Sequence, residues 1–168
     1  HLETVQGRRE ESLRASLRAL ELDPLSAQMG AHLAWHYLFT RQYDEAIQAC
    51  RKTLEIHPES VETLDFLGRA YAAKGRHSEA IAEFRKAAEL SQGIPNYMAV
   101  LAWGYAQAGR RREALAVLND LERLSRQRYF SWYNVAAAYA ALGEKDQPFR
   151  WLEKAYEDRS PALVWLKT

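Results

Sequence analysis

The chain has 168 residues, enough for a buried core, and its 48% hydrophobic and 27% charged residues fit a soluble folded protein rather than a disordered or membrane one. A formal net charge of +1 supplies no long-range field to gather nucleic acid or anionic lipid. The single cysteine, Cys50, excludes an internal disulfide and a cysteine zinc site. No apolar run approaches the roughly 18 residues that span a bilayer, no secretory leader stands at the start, and a cytoplasmic location is expected. The chain opens on His1 rather than Met, so a fragment of a longer protein is expected.

Heavy use of alanine, with only 8 glycines and 5 prolines, favours helices. In chain order, residues 1–6 read as the end of a helix, Gly7 as a turn and 8–22 as its partner, closed by Asp23-Pro24. Helices are expected over 27–40 and 44–56, the second closed by His57-Pro58, and then over 61–74 and 78–90. The loop Ser91-Gln92-Gly93-Ile94 leads into Pro95 and helices 95–108 and 111–125. The last pair covers 129–142 and 146–158, after which Ser160, as N-cap, and Pro161 open a short helix through Trp165.

These elements share one period. Pro24 and Pro58 are 34 residues apart. Leu33-Ala34-Trp35-His36-Tyr37 is matched by Leu67-Gly68-Arg69-Ala70-Tyr71, by Leu101-Ala102-Trp103-Gly104-Tyr105 and by Val135-Ala136-Ala137-Ala138-Tyr139, each 34 residues on. A second ladder runs Glu45-Ala46-Ile47, Glu79-Ala80-Ile81 and Glu113-Ala114-Leu115. Small residues at 34, 68, 102 and 136 fit where two helices of one pair approach closely. The four tyrosines fit the space between neighbouring pairs. Gly75, Gly109 and Gly143 fall at the corners between helices, where a left-handed backbone is cheap for glycine; Arg41 takes that place in the first full pair. Pro148 replaces the alanine of the other pairs and is tolerated only in the first turn of its helix. Ser125-Arg126-Gln127-Arg128 replaces the closing proline before the last pair, where a turn with altered stacking is expected.

A 34-residue unit of this pattern resembles the tetratricopeptide repeat. The resemblance implies an all-α fold, a right-handed superhelical α-solenoid of antiparallel helix pairs. A single array over 1–168 is expected: a partial repeat at 1–24, full repeats at 27–58, 61–92, 95–126 and 129–160, and the start of a capping helix at 161–168. The tail from Gly143 to Tyr156, followed by Arg159-Ser160-Pro161, is similar to the last repeat of C-terminal arrays in bacterial multidomain regulators. In those, the array follows a cyclase, kinase or winged-helix output domain.

Stacked helix pairs twist into a superhelix whose concave face is lined by the first helix of each pair. On that face the register places His32, Trp35, Phe39, Asp65, Phe66, Arg69, Asn96, Trp103, Phe130, Tyr133 and Asn134. The aromatics among them form an apolar stripe that an apolar-anchored helix or extended segment could occupy. Trp35 and Trp103 are the expected exposed anchors, and Asp65 with Arg69 the polar orienting pair. Against this stands the reading that several of these aromatics pack on neighbouring repeats. A clamp for the acidic C-termini of chaperones would need lysine, asparagine and arginine at Ala31, Trp35, Phe66, Asn96 and Val100; only Asn96 would serve, so that ligand is excluded.

Other signals weigh less. His32 and His36 have zinc-compatible spacing, but their expected state is two partly exposed polar side chains. Arg8, Arg9, Arg76 and Arg110 to Arg112 could form a basic edge for nucleic acid; each lies at an exposed corner balanced by glutamate. Cys50 reads as a buried thiol. No catalytic constellation, cofactor motif or metal site is present in the sequence. The function expected is therefore a non-enzymatic scaffold that binds a protein or peptide, with no nucleic acid or membrane partner. The alternative is a regulatory or sensory segment of a larger bacterial signalling enzyme or transcription regulator. Leu13, Leu17 and Leu20 leave helix 8–22 an apolar face through which a homodimer could form.

Overall fold

The computed structural model describes residues 9–124, 132–144 and 146–157. Expectations for helix 1–6, Gly7, Arg8, the turn at 125–128, Phe130, Arg159 and the helix after Ser160 lie outside the described residues. Nine α-helices and no strand appear among the described residues: α1 (Arg9–Leu22), α2 (Ala27–Phe39), α3 (Tyr43–Ile56), α4 (Val61–Ala73), α5 (His77–Leu90), α6 (Pro95–Gln107), α7 (Arg111–Leu124), α8 (Trp132–Ala141) and α9 (Gln147–Glu157). Where both can be compared, the bounds read from the 34-residue register hold to within one residue, the usual fraying of helix ends. Pro148 is the second residue of α9, in the first turn, where its missing N–H leaves no bond unmade.

The chain divides into two compact units, His1–Leu90 and Ser91–Thr168. In the first, α2 pairs with α3 and α4 with α5, while α1 packs on α2. In the second, α6 pairs with α7 and α8 with α9. Among the described residues α2 and α4 pack on each other, whereas α3 and α5 barely meet; α6 and α8 stand in the same relation to α7 and α9. The first helices therefore take the inside of the bend in each unit.

One corner design recurs. After each first helix a residue with positive φ reverses the chain: Arg41 (61°), Gly75 (73°), Gly109 (72°) and Gly143 (76°). The next residue then donates its N–H back to a tyrosine carbonyl. These bonds run from Gln42 to Tyr37 (2.8 Å), Arg76 to Tyr71 (2.9 Å), Arg110 to Tyr105 (2.9 Å) and Glu144 to Tyr139 (3.2 Å). This is the Schellman closure, which satisfies carbonyls a helix end leaves orphaned. Arg41 thus adopts the conformation its glycine counterparts adopt without strain.

Packing within a pair trades volume between partners. A Cβ added to Gly68 would lie 2.4 Å from Phe84 Cε1 on α5. The first and third full pairs carry Ala34 with Cys50 and Ala102 with Leu118 at the same register, all fully buried. Glycine on α4 makes room for the larger phenylalanine. Burial pushes the Cys50 thiol up to about 12, so it stays a protonated packing group. The tyrosines bridge successive pairs as expected: Arg51 on α3 donates to Tyr71 Oη at 3.0 Å, and Tyr139 Oη donates to Glu122 on α7 at 2.8 Å. The second unit centres on Trp132 and Trp151, stacked with centroids 4.9 Å apart among Leu118, Leu121 and Val135.

Candidate functional site

In the first unit the inner face is built by α2 and α4. Ser26 caps α2, its Oγ accepting from the Met29 N–H at 3.4 Å. Trp35 is not the exposed anchor expected of it. It is buried, 7% exposed, with its ring stacked on Phe39 at 4.7 Å and 27°. Phe39 lies one turn further along and stays half-buried, so it covers the indole that would otherwise face solvent. His32 and Phe66 are half-buried.

Asp65 and Arg69 also depart from expectation. They are bonded to each other: Arg69 Nε donates to Asp65 Oδ1 at 3.0 Å and Oδ2 at 3.1 Å. The Asp65 side chain is 9% exposed and that of Arg69 29%. Burial pushes the Asp65 carboxyl up, against the pull of the guanidinium. The carboxylate therefore belongs to the wall of the face, and the arginine alone reaches outward. His36, expected to be partly exposed, is sealed at 1%, and burial lowers its pKa from the ordinary 6.5. Among the described residues no three His, Cys, Asp or Glu side chains could hold a metal.

In the second unit the face is built by α6 and α8. Pro95 opens α6, and Trp103 rests half-buried against the core. Asn134 Nδ2 on α8 donates to Asn96 Oδ1 on α6 at 2.7 Å. Tyr133 is half-buried and Ala137, at the register of Trp103, is small and half-exposed. The two asparagines were legible as single groove residues. Their pairing was not, although their separation of 38 residues, one period and one helical turn, is the signal that parallel neighbouring helices bring them together. Val100, the register equivalent of Asn134 on α6, is buried.

Three corner arginines pair with glutamates. Arg76 lies 4.4 Å over the Tyr71 ring and pairs with Glu79; Arg110 lies 5.0 Å over Tyr105 and pairs with Glu113. Arg111 reaches Glu144 at the next corner. On α1, Leu17 is exposed, whereas Leu13 and Leu20 are half covered. No helix among the described residues is long and apolar enough to cross a membrane.

Solved structures share this fold. TTC0263, a thermophilic TPR protein of Thermus thermophilus, matches with a TM-score of 0.76 at 20% identity, over 96% of this chain and 89% of that one. MamA matches with 0.63 at 20% identity, over 96% and 94%. YrrB, a TPR protein with an unusual peptide-binding site, matches with 0.59 at 21% identity, over 99% and 86%. At these identities the likeness speaks for the fold alone. No curated protein matches the sequence. The tetratricopeptide repeat model matches residues 5–61 and 33–95, together more than half of the 168 residues. With its 34-residue register, its paired helices and its tyrosine-closed corners, the chain belongs to the tetratricopeptide repeat family.

Proposed function

We propose that this chain is a scaffold without chemistry of its own, which holds another polypeptide against the inner faces of α2 and α4 and of α6 and α8. The observation that carries this reading is the half-buried aromatic and amide surface of those helices: Phe39, Phe66, Trp103, Tyr133 and the Asn96–Asn134 pair. Partly open aromatics backed by a rigid core supply contact area at low entropic cost. Paired amides offer hydrogen bonds to a main chain. Family membership and the peptide-binding site of YrrB agree with such a role.

The test is a pull-down from a bacterial lysate with the chain and its Phe66→Ala and Trp103→Ala variants, one per unit. Gln48→Ala and Asn119→Ala, exposed on second helices, serve as controls. The groove variants are expected to lose bound polypeptide while circular dichroism stays helical and the controls retain it. Equal recovery by all four variants would remove the inner faces from the account. Turnover of any substrate by the purified chain would end the non-catalytic reading.

A further inference from the structure

We propose that Arg69 is a pre-set anchor for the carboxylate of an internal aspartate or glutamate in the bound polypeptide. This rests on the reading of the first unit's inner face as polypeptide-binding and names the chemistry it selects.

Three observations converge. First, Asp65 holds the guanidinium by Nε alone, through both carboxylate oxygens, and makes the pair from within the wall of the face. Second, among the described residues Arg69 makes no other hydrogen bond or ion pair, and neither terminal amino group is a buried atom without a partner. Both amino groups therefore meet solvent, on a side chain 29% exposed. A guanidinium fixed at Nε presents its remaining edge as a planar donor fork, the shape that accepts a carboxylate in a bidentate manner. The rotamer entropy an arginine normally loses on binding has already been lost in folding. Third, an aromatic ring stands beside the charge: Phe66, half-buried, is three residues before it on α4, within about one helical turn. An aromatic neighbour beside the fork favours an acidic side chain flanked by apolar residues over a freely hydrated chain end.

Arg69 stands at none of the positions at which a chaperone-tail clamp would place its cations, so the anchor is a separate device. Asp65 acts as a positioning residue, because its carboxylate oxygens both accept from the arginine.

Short fluorescein-labelled peptides test the proposal by anisotropy with the full chain. They carry leucine and tryptophan around a central Glu, Gln or Lys, and each is made with a free and an amidated C-terminus. The Glu peptides are expected to bind about tenfold more tightly than the Gln peptides, the scale of one charge-assisted contact. Amidation should leave that preference unchanged, and added salt should shrink it. Arg69→Lys should keep part of it, since charge survives and the fork does not. The double variant Asp65→Asn with Arg69→Gln leaves no buried charge unpaired; it should stay helical and bind Glu and Gln peptides alike. A preference that survives in the double variant, or is missing from the unaltered chain, overturns the anchor while peptide binding itself stands. A preference that follows the free C-terminus transfers the contact to chain ends and overturns it as well. If no peptide binds at all, the reading of this face falls together with the anchor.

Discussion

Position 35 in the first unit and position 103 in the second are the same place in the repeat, yet one indole is sealed and the other half open. The difference lies one helical turn further on. Phe39 stacks over Trp35, whereas the matching residue on α6 is Gln107, which is exposed and covers nothing. The polar partners diverge too: an ion pair along α4 in the first unit, an amide pair between α6 and α8 in the second. Repeats thus share a backbone while a few face positions decide whether an aromatic acts as core or as contact surface.

The largest effect that can break this comparison is a truncation at the two tryptophans. Trp35→Ala should cost about 3–5 kcal/mol, as for other buried large-to-small changes, and Trp103→Ala clearly less. Urea denaturation of both variants measures it; equal losses would erase the contrast. The next effect concerns the volume trade. Gly68→Ala drives a methyl into Phe84 and should cost about 1–3 kcal/mol. Adding Phe84→Leu reproduces the Ala102 and Leu118 pairing of the second unit and should recover most of the loss by the same measurement.

Acid should separate the units as well. All five histidines lie at or before residue 77, so the second unit has none. Burial holds the pKa of His36 below its ordinary 6.5. The unfolded chain then accepts a proton that the folded chain resists, so the stability due to neutral His36 is whole above pH 6.5 and drains as pH falls below it. Hydrogen exchange should therefore quicken on acidification in α2 to α5 before α6 to α9, and His36→Phe should flatten that response. An identical acid response in both units would refute it. The smallest effect is at the corners. Arg41→Gly relieves a left-handed residue at the cost of extra chain entropy in the unfolded state, and should gain under about 1 kcal/mol. Gly109→Arg should lose a similar amount, both read from thermal melts.

The helices, their pairing and the corners were legible because small residues and tyrosines repeat four times at one period and turn glycines mark three of the four corners. The burial of Trp35 was not, because it depends on a ring stacked one turn away, and a register states where a side chain stands without stating what covers it. Asp65 and His36 were misread for the same reason. A polar residue in sequence reads as exposed until its partner or its enclosure is known. The Arg69 fork lay one step further off, since it needs the carboxylate beneath it to be placed first.

The tyrosine carbonyl that closes each corner has a wider consequence. Because main-chain atoms make the closure, any residue but proline can donate to it, and the chain already uses Gln42, Arg76, Arg110 and Glu144 there. Each reversal is therefore closed by the main chain whatever charge its side chain carries. Within either unit the corners can drift from basic to acidic while the fold stands still, which lets one architecture meet differently charged surroundings.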